Sequence, residues 1–180
     1  MLFEDRRERV EATMATKMPI KTTEDLLAHA IAIEHEAAAR YVELGERMRD
    51  LGNDTVAELF LRLARLESEH EQELERRAKG LALPRIAPGE YAWIDTGAPE
   101  TAAHDLVLNL LTPHVALKIA LDAEVRAAAF FESARKQASD RALGELAAEM
   151  AAEEGVHIAW VKSAMRRTPD PVLDWSSIFG

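Results

Sequence analysis

The sequence predicts an all-α protein, a bundle of four helices arranged as two helical hairpins that a long crossover joins. Two observations lead to this fold class. Alanine, leucine, glutamate and arginine dominate the 180 residues, and only 8 glycines and 7 prolines interrupt them, a composition that favours helices. Apolar residues also recur at alternating steps of three and four in four separate segments, which is the spacing of one helix face. The length suits one domain.

The first predicted hairpin pairs a helix over 22–51 with a helix over 55–79. Thr22 or Thr23 is a suitable N-cap, and acidic residues follow it in the first turn, where the helix dipole favours them. The short turn that begins at Gly52 separates the helices, and Asn53 or Asp54 can cap the second. Gly80 is placed as a C-terminal stop. Residues 1–20 are expected to form a weakly helical or disordered arm.

The second predicted hairpin pairs helices over 113–138 and 140–167. Thr112 and Pro113 form an N-cap and first-turn proline, a good helix start. Prolines and glycines break any long helix in the crossover, residues 80–112. The bundle therefore covers 21–167, with a short apolar tail at 168–180 that we expect to dock on the bundle or on a partner subunit. A crossover of this length is natural where the second and third helices lie parallel.

Charge and composition exclude several classes of function. The formal net charge is −10 and the sequence contains no basic patch, which argues against nucleic-acid binding. Cysteine is absent, so disulfides and thiolate metal sites are excluded. No apolar run is long enough to span a membrane, and the N-terminus lacks a secretory or transit signal, so we expect a cytoplasmic protein. A homodimer or larger homo-oligomer is our expectation for the assembly.

Each predicted helix carries a carboxylate in the middle of its apolar face. The first and third helices carry one glutamate each, and the second and fourth carry a Glu-x-x-His pair. The candidate metal ligands defined in this way are Glu34, Glu67, His70, Glu124, Glu154 and His157. An unpaired, ionised carboxylate in a protein core costs several kcal/mol, and these faces contain no lysine or arginine. Two divalent metal ions would balance the four glutamates, with both histidines neutral.

The same argument makes a prediction for the metal-free protein. Repulsion and burial should raise some of the glutamate pKa values. We therefore expect replacement of Glu67 by leucine to abolish binding of two metal ions and to leave the metal-free stability unchanged or higher.

An internal repeat supports a two-fold site. Residues 34–41 align with residues 124–131, so that Glu34 matches Glu124 and Tyr41 matches Phe131. Residues 64–70 align with residues 151–157, which superimposes the two Glu-x-x-His pairs. Each half of the chain therefore supplies one lone glutamate and one Glu-x-x-His, or three ligands for each metal ion.

These motifs resemble those of the ferritin-like di-iron carboxylate proteins. Within that superfamily residues 22–166 are most similar to rubrerythrins, through Glu-x-x-Ala-x-x-x-Tyr in the first helix and Glu-x-x-His in the second and fourth. The resemblance implies a ferritin-like bundle with two iron ions, or manganese as the alternative. It also implies an oxidoreductase of the ferroxidase or peroxidase type that reacts with dioxygen or hydrogen peroxide. Iron-storage ferritin, manganese catalase and a metal-free helical interaction module are the alternatives.

The chain departs from the rubrerythrin pattern in two ways. Rubrerythrins often carry a cysteine-ligated rubredoxin centre, and the absence of cysteine here means that electrons must come from an external donor. Rubrerythrins also carry an extra glutamate one turn beyond the third-helix ligand, where this chain has Ala127. We therefore expect slower turnover with peroxide than in a complete rubrerythrin.

Other polar residues near the predicted ligands are not expected to bind metal. Tyr41 lies about 10 Å along the helix axis from Glu34, and is expected to be a core tyrosine, with a radical or ligand-supporting role as the alternative. Glu153 could replace Glu154 as a ligand, but its face points away from the apolar stripe. Glu71 is expected to be solvated. His29 and His114 lie off the stripes and are expected to be ordinary polar residues.

Overall fold

The structure is a computed structural model that describes residues 20–86 and 111–169. These residues form four helices: α1 (Thr23–Asp50), α2 (Asp54–Ala78), α3 (Pro113–Gln137) and α4 (Arg141–Arg167). The part of the chain so described contains no strand. The predicted all-α fold class is confirmed. The predicted spans were 22–51, 55–79, 113–138 and 140–167.

Side-chain caps fix where each helix begins. The Thr22 side chain accepts a hydrogen bond from the Asp25 backbone, and the Asp25 carboxylate accepts one from the Thr22 backbone, which completes a capping box. Asn53, Thr112 and Asp140 cap the other three helices in the simpler one-bond form. Each cap satisfies a backbone amide that would otherwise lack a partner at the helix start.

The helices pack as two hairpins. α1 lies along α2 and α3 lies along α4, whereas the backbones of the two hairpins approach each other less closely. Gly45 lies at a close approach within the first hairpin, because a Cβ atom there would lie 2.8 Å from Leu61 Cγ. Gly52 turns the chain between α1 and α2 with a φ of 71°, a conformation that glycine adopts at little cost.

Two apolar clusters fill the bundle, one towards each end. The first contains Ile33, Leu74, Phe131 and Met150, and the second contains Phe60 with residues from all four helices. In every helix the predicted ligands fall in sequence between a residue of the first cluster and a residue of the second. The polar side chains therefore lie at mid-bundle with a packed apolar core above and below them.

Several predictions concern residues that the structure does not describe. The arm (1–20), apart from Ile20 at the edge of the core, lies outside the described residues. So do most of the crossover (80–112) and all but the first two residues of the tail (168–180). Of the four described helices, none is long and apolar enough to cross a membrane.

Candidate metal centre

All six predicted ligands point into the middle of the bundle. Five of them are buried, namely Glu34, Glu67, Glu124, Glu154 and His157. The sixth, His70, is 22 % exposed, whereas His157 is 4 % exposed. The apolar face of each helix explains the burial, because the same face that packs the two core clusters also carries the ligand.

Glu67 lies between the two histidines. Its Oε1 atom is 3.0 Å from His157 Nδ1, and its Oε2 atom is 3.6 Å from His70 Nδ1. Since α2 contributes Glu67 and α4 contributes His157, this carboxylate also connects the two hairpins. The imidazole rings of His70 and His157 are stacked 5.8 Å apart. Glu67 is therefore the central residue of the group.

The remaining carboxylates divide between the two histidines. His157 Nδ1 is 3.6 Å from Glu124 Oε2 and 3.7 Å from Glu154 Oε2. His70 Nδ1 is 3.7 Å from Glu34 Oε2. Two overlapping groups bring their ligand atoms within 4.8 Å of one another and could hold a metal ion: Glu67, His70 and His157, and Glu67, Glu124, Glu154 and His157. Glu34 lies beside these groups but outside both.

Glu67 and His157 carry opposite charges in the metal-free protein. Burial disfavours the ionised form of Glu67, but its interactions with His157 and His70 lower its pKa to about 2. Burial likewise disfavours protonated His157, yet Glu124, Glu154 and Glu67 together raise its pKa to about 12. The pair is thus a buried ion pair that links the hairpins.

The pKa values of Glu34 and Glu154 shift in the opposite direction from that of Glu67. Burial, together with neighbouring Glu67, raises the pKa of Glu34 well above its ordinary value. Burial and neighbouring Glu124 also raise the pKa of Glu154, against the opposing effect of His157. These shifts have the direction expected from the sequence. Glu67 is the exception among the buried glutamates, because its two histidine neighbours outweigh burial and its pKa falls.

Several buried polar atoms of the group have no hydrogen-bond partner. Among the described residues these atoms are both carboxylate oxygens of Glu34, Oε2 of Glu67 and Nδ1 of His157, whose 3.0 Å approach to Glu67 Oε1 is an ion pair without hydrogen-bond alignment. Buried polar atoms are normally paired. These carboxylate oxygens and this imidazole nitrogen are instead potential metal-ligand atoms that converge at one point. Carboxylate and imidazole ligands without thiolate suit iron or manganese. The residues therefore fit a pair of divalent cations.

Comparisons with known proteins show the family to which the chain belongs. The sequence profile of the rubrerythrin family matches residues 25–102. A solved structure of an uncharacterized conserved protein from Magnetospirillum magnetotacticum MS-1 is 34 % identical, with a TM-score of 0.74. The match covers 84 % of this chain and 99 % of that one. The chain belongs to the rubrerythrin family. No protein of curated function was found to match it.

Tyr41 contacts a predicted ligand of this rubrerythrin-family centre. Its hydroxyl donates a hydrogen bond to Glu124 Oε1, across from α1 to α3. Burial and the adjacent Glu124 carboxylate raise the tyrosine pKa well above its ordinary value, so the hydroxyl keeps its proton and remains a donor. Sequence spacing placed Tyr41 far from Glu34, its neighbour on the same helix, and could not show a contact with the opposite hairpin.

The two histidines have different surroundings on their outer sides. Glu153 Oε1 lies 3.9 Å from His70 Nε2, and the Glu153 side chain is 35 % exposed. The ring of Trp160 lies 5.8 Å from that of His157, and the Arg62 guanidinium covers the Trp160 ring at 4.2 Å. The His70 side is therefore open and acidic, whereas an aromatic ring and a cation cover the His157 side.

The expectations for His29 and Glu71 were wrong. His29, expected to be an ordinary polar residue off the apolar stripe, is buried, its ring stacks on Phe130 at 5.7 Å, and its Nδ1 atom bonds to the Asp25 carbonyl oxygen. Glu71 is partly buried and pairs with His35 at 2.8 Å. Both errors arise because a helix buries residues beside its main stripe where a second helix packs, and a stripe drawn at one face omits them. His114 bonds to the Thr168 carbonyl oxygen.

Proposed function

We propose that this rubrerythrin-family protein is a di-iron oxidoreductase of the ferroxidase or peroxidase type, which reacts with dioxygen or hydrogen peroxide. The proposed iron ligands are Glu34, Glu67, His70, Glu124, Glu154 and His157. A single observation carries the proposal: four carboxylates and two imidazoles converge in the core, and four of their atoms lack any hydrogen-bond partner among the described residues.

Burial of this group is costly unless cations neutralise it. Removing a carboxylate from water costs several kcal/mol even after the protein relaxes. In the metal-free state protons on Glu34 and Glu154 and the Glu67–His157 ion pair reduce that cost. Two divalent ions would replace those protons and leave both histidines neutral, so that metal binding and proton release are coupled.

Each residue has a distinct role in this proposal. Glu67 faces both histidines, and is therefore the carboxylate best placed to be shared between two metal ions. Tyr41 occupies Oε1 of Glu124, which leaves Oε2, the atom that faces His157, as the metal-binding oxygen. The apolar clusters on both sides keep bulk water from the buried ligands. Two bound iron ions would supply two electrons for the reduction of dioxygen or peroxide.

Iron loading followed by oxidation tests the proposal. Protein loaded with Fe(II) under anaerobic conditions should hold two iron ions per chain. On exposure to hydrogen peroxide or air it should develop the near-ultraviolet absorption of oxidised iron. His157→Gln should lose both properties. The matched control is His35→Gln, which alters an exposed histidine of α1 outside the centre. Loss of iron binding in the control as well would show that the assay reports folding rather than the centre.

The same preparation distinguishes the alternatives. A manganese catalase would contain manganese and release dioxygen from hydrogen peroxide. An iron-storage protein would assemble as a cage and take up far more than two iron ions per chain. A metal-free interaction module would bind neither metal, and the protonated carboxylates would be its resting state. The electron donor, the cytoplasmic location and the homodimer stay predictions.

A further inference from the structure

We propose that Glu153 is the residue that positions His70, by accepting the hydrogen bond of its outer ring nitrogen so that the inner nitrogen is free to bind metal. This inference rests on the proposed function. It adds a seventh residue to the centre, and that residue belongs to one half of the centre alone.

The orientation of the His70 ring indicates which of its nitrogens would bind metal. Its Nδ1 atom faces inwards, 3.7 Å from Glu34 Oε2 and 3.6 Å from Glu67 Oε2. A neutral imidazole has one protonated nitrogen, and metal binds the other. If Nδ1 is the ligand atom, Nε2 must carry the hydrogen. Histidines that bind metal almost always donate this second N–H to a carboxylate, a carbonyl oxygen or water, which fixes the ring.

Glu153 is the carboxylate on that outer side. Its Oε1 atom lies 3.9 Å from His70 Nε2, which is longer than a hydrogen bond. Rotation of the partly exposed Glu153 side chain, or one bridging water molecule, closes this gap. The pair joins α2 to α4. Nearer the end of the bundle, Arg77 of α2 binds Glu149 of α4 through two hydrogen bonds of 2.7 and 2.9 Å, which also join these two helices.

The internal repeat shows that this carboxylate has no counterpart in the other half. When Glu154 is aligned with Glu67, Glu153 aligns with Leu66 of α2. Leucine cannot accept a hydrogen bond, so the repeat supplies no matching carboxylate for His157. His157 is instead held by burial, with the Trp160 ring beside it. The more exposed histidine is therefore the one with an outer carboxylate to restrain it.

Cobalt(II) binding to the full-length protein tests the inference without reliance on turnover. Titration of wild type should give two binding events per chain. In Glu153→Ala the event assigned to the His70 half should weaken by roughly 10–100-fold, the usual effect of losing such a partner, while the other event is unchanged. Glu153→Gln, which keeps an acceptor oxygen but loses the charge, should fall between wild type and alanine.

Glu71→Ala is the matched control. Glu71, like Glu153, adjoins a proposed ligand in sequence and faces a histidine, but that histidine is His35, outside the centre. The control should bind cobalt as wild type does. A second readout is the ring N–H proton of His70 in the cobalt protein, which should exchange slowly with water in wild type and rapidly in Glu153→Ala.

The outcomes separate this inference from the function on which it rests. Unchanged cobalt affinity and N–H exchange in Glu153→Ala would overturn the inference and leave the proposed metal centre intact. Equal weakening by Glu71→Ala would also overturn it, because surface charge would then explain the loss. Failure of wild type to bind cobalt would overturn the proposed function and this inference together. Thermal melting of each metal-free variant, expected within a few degrees of wild type, confirms folding.

Discussion

The His157 half of the centre is closed and held by contacts with neighbouring side chains, whereas the His70 half is open and has fewer such contacts. In the closed half Tyr41 donates to Glu124, His157 is 4 % exposed, and Trp160 with Arg62 covers the ring. In the open half the aligned aromatic residue is Phe131, which has no hydroxyl, and both oxygens of Glu34 lack a partner among the described residues.

The contrast shows what the internal repeat keeps and what it does not. The ligand types match in the two halves, because both need the same charge and coordination chemistry. The residues around the ligands differ, so the halves should differ in stability and access. We expect the closed half to hold its metal tightly and the open half to exchange ligands and meet the oxidant first. The following predictions test this difference.

The largest effect is expected at Glu67, which both halves share. Glu67→Leu should abolish binding of two metal ions and destabilise the metal-free protein near neutral pH by about 3–5 kcal/mol, as is usual when one partner of a buried pair is removed. The wild-type pKa of Glu67 is lowered to about 2 by His157 and His70, against the effect of burial. Its stabilising contribution is therefore present above pH ~4.3, the unfolded value, and is lost as pH falls towards 2.

Urea denaturation with a chelator present, at pH 7 and pH 3, measures this contribution. Glu69→Leu, an exposed glutamate on the same helix, is the control and should differ little from wild type. A leucine variant as stable as wild type at pH 7 would restore the expectation drawn from sequence alone and contradict the ion pair.

The next effect concerns Glu34 in the open half. Burial raises the pKa of this carboxyl, so the folded protein binds its proton more tightly than the unfolded chain. Metal-free stability is then fully present below pH ~4.3, and is lost as pH rises through the folded pKa. Glu34→Gln should reduce this loss and be more stable than wild type at pH 8 by roughly 1–4 kcal/mol. Parallel denaturation curves at pH 5 and pH 8 are the measurement, and an unchanged pH slope would refute it.

A smaller effect is expected from the tyrosine that supports the closed half. Tyr41→Phe removes the donor to Glu124 and should lower metal-free stability by about 1.5–3 kcal/mol, the range for hydrogen bonds to charged groups. Phe131→Tyr is the reciprocal variant, because it offers the open half an equivalent hydroxyl, and it should tighten metal binding there. Calorimetric unfolding and metal titration of both variants check the comparison. Equal losses in the two variants would mean that the halves do not differ in this respect.

The smallest effect is expected at Ala127, which is buried on α3 one turn beyond Glu124. Ala127→Glu restores the extra glutamate of typical rubrerythrins, and should raise the rate of reaction with hydrogen peroxide roughly tenfold, equal to about 1.4 kcal/mol of barrier. Ala127→Gln matches its size without the charge and should not. Stopped-flow mixing of the reduced iron protein with peroxide decides between them. Equal rates in wild type and the glutamate variant would show that position 127 does not limit peroxide turnover.

The sequence was sufficient to predict the fold class and the convergence of the six residues, because both follow from helix periodicity. Glu67 and His70 share one face of α2 as a consequence of their three-residue spacing. Contacts between the hairpins could not be predicted in this way. The Tyr41–Glu124 bond, the lowered pKa of Glu67 and the approach of Glu153 to His70 all depend on how the hairpins face each other, and no spacing within one helix encodes that.

The burial of His29 was missed for a related reason. It depends on Phe130 of the other hairpin, which lies far away in sequence and only packs against His29 in the folded bundle. A signal was present in the neighbouring residues, because Leu26, Leu27, Ala30 and Ile33 surround it on α1 with little polar character. A wider apolar face on that segment would have predicted a second packing surface.

Anomalous diffraction from crystals of the cobalt- or iron-loaded protein tests the central claim most directly. Two metal peaks about 3.5–4 Å apart are predicted, both bound by Glu67. His70 and Glu34 should bind one, and His157, Glu124 and Glu154 the other, with higher occupancy at the His157 peak. A single peak, equal occupancies at limiting metal, or peaks outside this group of residues would contradict the account of one shared carboxylate and two unequal halves.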